Sequence, residues 1–271
     1  MKFLFLTIIT LCTINISYAQ NGPQLTLKAP PAHIKIDGDI KEWGDSLTYY
    51  STEDRLNYMI ANSNDTLYLA VKIYDNNQIA QVLNAGLTFS IDPRGKKKSA
   101  FSLTYPVNIG GTGSLYGHKQ DQADGVTQAD RDELMREKIT TLRGIKVLGF
   151  KDIEDDMITT SNTYGIQTAV DYDAVGNLIY EEAIPLKFFH ADLSSKNEWA
   201  FNIKINGIAR QPKAEGEEGQ SGGGHHGEGG GGMGGGGGRG GGGHHNNNNY
   251  MGGPDPMTKS VDFWGKFTLA K

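Results

Sequence analysis

Cysteine is almost missing from this chain: among 271 residues Cys12 is the only one, and it lies inside a leading apolar stretch. A disulfide framework, a thiolate metal centre and a cysteine nucleophile in the body of the protein are thereby excluded. Basic charge is short as well. Lysine and arginine number 26 against 31 acids, a net charge of −5. The one local basic cluster, Lys96-Lys97-Lys98, reads as a solvated turn. Phosphate backbones need a basic face, so nucleic acid is excluded as a partner. Long apolar runs are lacking too. A spanning helix needs about 20 apolar residues, and Phe3 to Ile14, interrupted by threonines, is far shorter.

That apolar run is predicted to be the core of a signal peptide over residues 1–19. Lys2 supplies the positive start, and Ser17-Tyr18-Ala19 offers a small-x-small cleavage site before Gln20. Export to the periplasm, the cell surface or the outside follows, with no integral membrane segment once the signal is removed. Cleavage would take Cys12 with it.

Catalytic patterns are sparse. Outside one glycine-rich tract the predicted mature chain holds only His33, His118 and His190, none beside a nucleophile signature. Gly219-Gln220-Ser221-Gly222-Gly223 spells a nucleophile elbow, but in low-complexity sequence where no strand-to-helix turn can form. Glu181 and Glu182 are neighbours on a predicted strand, so they point to opposite faces and cannot work as an acid/base pair. A non-enzyme is expected.

What the chain does have is strands. Leu56 to Ala61 and Leu67 to Ile73 alternate apolar and polar positions around the turn cluster Asn62-Ser63-Asn64-Asp65, which predicts an antiparallel hairpin. Gly86 to Asp92 closes at Asp92-Pro93-Arg94-Gly95, with Phe101 to Val107 as its neighbour. Met157 to Ser161, Gly165 to Asp171, Leu178 to Ile184, Trp199 to Ile205 and Phe263 to Leu269 complete the set. Short strands with turns between them predict an all-β, two-sheet antiparallel β-sandwich, one domain over residues 24–271. Ile34 to Ile36 reads as a further strand, breaking at Asp37-Gly38 and anchoring Trp43. One helix is predicted, Thr127 to Leu142, preceded by a long loop over Gly110 to Gly125.

Residues 215–253 differ in kind, holding 21 of the 37 glycines, two histidine pairs and the run Asn246 to Asn249. With almost nothing to bury, this insertion is expected to be disordered. It falls between the last two predicted strands, so the sheet must close across it.

The order of several short motifs carries a family resemblance. Ile36-Asp37-Gly38 with Trp43, Leu67 to Asp75, Ser90-Ile91-Asp92-Pro93, Glu182-Ala183-Ile184-Pro185-Leu186, Trp199 to Ile203 and Trp264-Gly265-Lys266-Phe267 occur in one register. Together they resemble the family 9 carbohydrate-binding modules and their DOMON-like relatives. The resemblance implies a glycan partner and structural calcium. Sugar rings stack on exposed aromatics while their hydroxyls take polar partners. All three tryptophans fall in positions that predict core packing, so Tyr105 and Tyr116, with His118 and Asp121 nearby, are the candidate carbohydrate-binding residues. For calcium, the oxygen-rich candidates are the acidic run Asp152, Glu154, Asp155 and Asp156, and the pair Asp37 and Asp39; no EF-hand spacing is present.

The histidine pairs His225-His226 and His244-His245 are candidate ligands for zinc or copper. Two readings therefore stand beside the glycan one: a periplasmic metal-binding protein using this loop, and an interaction module with no small-molecule ligand. Haem would require Met59 with His118 or His190 as axial ligands.

Overall fold

The computed structural model describes residues 24–44, 47–52, 54–108, 136–137, 139–192, 198–209 and 256–270. Twelve strands are formed there. They are β1 (Gln24–Thr26), β2 (Tyr49–Ser51), β3 (Leu56–Asn62), β4 (Thr66–Ile73), β5 (Leu87–Asp92) and β6 (Phe101–Val107). The second half supplies β7 (Gly144–Leu148), β8 (Met157–Thr159), β9 (Gln167–Tyr172), β10 (Leu178–Pro185), β11 (Trp199–Ile205) and β12 (Val261–Thr268). They make a seven-stranded sheet in the order β1-β12-β11-β5-β6-β7-β8 and a five-stranded sheet in the order β2-β3-β4-β10-β9. Every pairing is antiparallel except β1 with β12. The expected all-β sandwich is the observed fold.

Alternation along the strands decides what lies between the sheets. Leu87, Phe89 and Ile91 of β5 face Ile205, Ile203 and Phe201 of β11, and all are buried. From the five-stranded sheet come Leu56, Tyr58 and Ile60, Leu67, Leu69 and Val71, and Tyr180 and Ile184. Phe201 joins the layers: its ring lies 5.8 Å from Tyr58, 6.0 Å from Phe263 and 6.0 Å from Phe267. The last strand does join the sandwich, since Phe267 pairs with Trp199 across β12 and β11.

Three local expectations are corrected. Ile34 to Ile36 is not a strand. This segment instead crosses the outside of the five-stranded sheet, where Ile34, Ile40, Trp43 and Leu47 pack on Ala61, Ala70 and Ile179. A helix unread in the sequence, α1 (Asn76–Ala85), connects the sheets. The Asp75 carboxylate caps it by accepting from the backbone N–H groups of Asn77 and Gln78 at 2.9 and 3.2 Å. Ile79, Val82 and Leu83 then enter the main core. Trp43 and Trp199 are buried as expected, but Trp264 is half-exposed on the outer face of the seven-stranded sheet, opposite Asn202. The predicted helix Thr127 to Leu142 lies mostly outside the described residues, as do residues 1–19 and 215–253.

Candidate functional site

Two adjacent glutamates organise the five-stranded sheet, and alternation sends them to opposite faces as expected. Glu181 points outward yet is fully buried, because the crossing segment covers it. Its carboxylate accepts from the backbone N–H groups of Asp37 and Gly38 at 3.1 and 2.9 Å and from the Trp43 indole N–H at 2.9 Å. Burial lifts this carboxyl above its ordinary value, and the three donors oppose that lift. Gly38 has φ +85°, and a Cβ there would meet Asp171 at 2.8 Å, so the turn sits flush on β9 and needs glycine. Two of the motifs read separately in the sequence are therefore one clamp.

Glu182 faces the interior. It accepts from the Tyr180 hydroxyl at 2.5 Å through one oxygen. Its other oxygen has no hydrogen-bond partner among the described residues, and burial pushes the carboxyl up to about 8.

The clamp leaves the far part of the same outer face open. Tyr50 stands there 53% exposed and Tyr74 46% exposed. Tyr49 turns inward onto Tyr58, ring centroids 5.6 Å apart, and so Tyr50 turns outward beside its cross-strand partner Asn57. Asn57 is in turn the partner of Lys72. The Tyr74 hydroxyl donates to Asn57 Oδ1 at 2.8 Å, and Lys72 Nζ lies 5.8 Å above the Tyr74 ring. Two strands and two residues separate the tyrosines, which spaces them by about 12 Å. Lys72 also pairs with Asp173 at 2.9 Å. Partial burial of Asp173 disfavours its charge, but Lys72, Asn177 and the N–H groups of Asn177 and Val175 outweigh it and hold the carboxyl at about 2.

A groove of about 330 Å³ continues from this patch, between the crossing segment and the β9–β10 hairpin. Asp39, Lys41, Lys72, Asp171, Tyr172 and Asp173 line it. Exposed rings, an amide, an amine and carboxylates thus share one shallow surface. Such a surface can stack the carbon face of a sugar and satisfy its hydroxyls.

The predicted site residues are distributed otherwise. Tyr105 is corrected as a stacking platform: it is 4% exposed within the core, facing Tyr180 at 6.1 Å. Its hydroxyl donates to the Leu142 carbonyl at 3.2 Å. Burial pushes the Tyr105 hydroxyl up to about 12, with the Thr168 hydroxyl and Arg143 opposing. Tyr116, His118 and Asp121 lie outside the described residues, and so do His225, His226, His244 and His245. Asp152 pairs with His190 at 2.8 Å, and Asp39 with Lys41 at 2.6 Å. Among the described residues, no three histidine or acidic side chains converge on a point that could hold a metal ion. Met59 packs on the outer face of the five-stranded sheet, where its sulfur accepts from Thr48, while His190 lies past the far end of β10.

Tyr50 and Tyr74 were missed in the sequence. One signal was there: in Tyr68-Leu69-Ala70-Val71-Lys72-Ile73-Tyr74 the period of two puts Tyr74 with Lys72, opposite the buried leucine and isoleucine. No protein-family model matches this chain, and no curated protein matches it. Among the described residues no helix is long and apolar enough to cross a membrane.

Proposed function

We propose that this chain is an exported, non-catalytic glycan-binding module of the family 9 carbohydrate-binding type, with its ligand laid along the outer face of the five-stranded sheet. The observation that carries the reading is the pair Tyr50 and Tyr74, solvent-facing on one side of the sheet with Asn57 and Lys72 between them. Large rings are usually hidden, and here two remain outside beside polar groups already held in place by hydrogen bonds. A preorganised rigid platform reduces the ordering cost of binding. The motif order and residues 1–19 support the family and the export.

The test is calorimetry of the secreted chain against a panel of neutral oligosaccharides, repeated with Tyr50→Ala and Tyr74→Ala. Each ring removed should weaken binding roughly fivefold to tenfold, about 1–1.4 kcal/mol, with the melting temperature unchanged. Full affinity in the double variant would sink the proposal.

A further inference from the structure

A second cleft, of about 810 Å³, opens at the other end of the sandwich. It lies where β5 ends and β6 begins, beside the turn that follows β10. The length of β10, about 25 Å, separates it from the groove near the tyrosines. Its rim gathers four cations against three acids, Asp92, Asp152 and Asp192, in a chain whose net charge is −5. Arg94, Lys96, Lys98 and Lys151 line it, all exposed, and none has an ion-pair partner among the described residues.

The turn carrying three of these cations is solvated at its side chains, as the sequence suggests, but its backbone is ordered. It is wound round one buried carboxylate. Asp92, 2% exposed, accepts from Arg94 N–H through Oδ1 at 2.9 Å and from the N–H groups of Lys96 and Lys98 through Oδ2 at 2.9 and 3.1 Å. Gly95 locks the turn at φ +66°, where a Cβ would lie 2.6 Å from the Glu198 carbonyl. The backbone polar groups are thereby satisfied internally, and the cationic side chains are turned outward. Like charges gathered in this way repel, and Asp92 offsets only part of that. Two exposed acids share the rim, Asp152, which lies 2.8 Å from His190 Nε2, and Asp192.

The floor is apolar. Phe101 is half-buried there, backed edge-on by Phe189 at 5.3 Å and 89°, with Trp199 behind that at 5.4 Å. We infer that this cleft is a second binding site, for an acidic sugar such as a uronate or sulfated unit of a polysaccharide. The anionic group is taken by Arg94, Lys96, Lys98 and Lys151, and the carbon face of the ring rests on Phe101. Exposed cations over an aromatic floor suit a ligand that is anionic at one edge and apolar on one face. The site is independent of the tyrosine face.

The test uses calorimetry of the full chain with a galacturonic-acid trisaccharide, a sulfated disaccharide, a neutral galactose trisaccharide and inorganic sulfate. At least one acidic sugar should bind roughly tenfold tighter than the neutral one. Its affinity should fall as salt rises from about 50 to about 500 mM. An Arg94→Ser, Lys96→Ser double variant should lose roughly tenfold, while Tyr50→Ala with Tyr74→Ala keeps this binding. Equal affinity for the neutral sugar, insensitivity to salt, or an unchanged double variant would overturn the inference. So would sulfate ion alone binding as tightly as the acidic sugars, which marks an inorganic anion site.

Discussion

Glu181 and Glu182 share a strand and both are fully buried, yet their chemistry diverges because their partners do. Glu181 meets three N–H donors, an arrangement suited to an ionised group. Replacing Trp43 by Phe keeps most of the packing but leaves one carboxylate oxygen buried without its donor. The expected loss is about 1–3 kcal/mol in urea unfolding, and an unshifted midpoint would count against the clamp. Glu182 has only the Tyr180 hydroxyl, and its ordinary value of 4.5 rises to about 8 in the fold. Between those two pH values the unfolded chain has released this proton while the folded chain retains it. Folding stability contributed at Glu182 is therefore complete below about pH 4.5, declines as pH rises, and levels off above about pH 8. Glu182→Gln, which keeps an acceptor for Tyr180, should flatten that share of the slope in melting curves between pH 5 and pH 8. An equally steep slope in the variant would rule it out.

At the scale of elements, α1 shows how a cap can outweigh composition. Its opening Asn76-Asn77 resembles a turn, and only the Asp75 carboxylate makes it a helix start. Asp75 also pairs with Arg55 at 2.8 Å, an exposed contact of small worth. Asp75→Ala should cost about 1 kcal/mol, within the range for lost N-caps. Amide exchange at Asn77 and Gln78 is the direct readout, and unchanged protection there would show that the cap is idle. Tyr105 belongs to this scale too, because its hydroxyl ties β6 to the carbonyl of Leu142 just before β7. Tyr105→Phe should cost about 1 kcal/mol and leave neutral-glycan affinity unaltered. A loss of binding would return Tyr105 to the site from which its burial removes it.

For the whole molecule, one core serves both sheets, and Phe201 sits in it against rings from each. Phe201→Ala should destabilise by about 3–5 kcal/mol. Near-ultraviolet and far-ultraviolet signals should still disappear together, as expected of a single cooperative unit. Two separated transitions would mean that the sheets are independent. The sequence by itself determined the strands β3 to β6 and β8 to β12 and the opposite facing of Glu181 and Glu182. Period-two patterning and turn residues are local properties, written within a few positions of each other. Only the tertiary structure decided that residues 34–47 lie across a sheet instead of joining it. It alone placed Tyr105 inside and Tyr50 and Tyr74 outside. Each of those outcomes depends on which distant residue arrives to cover a face, here Glu181 reaching Gly38 across 143 positions. Exposure belongs to the assembled layers, and no window of neighbouring residues contains it.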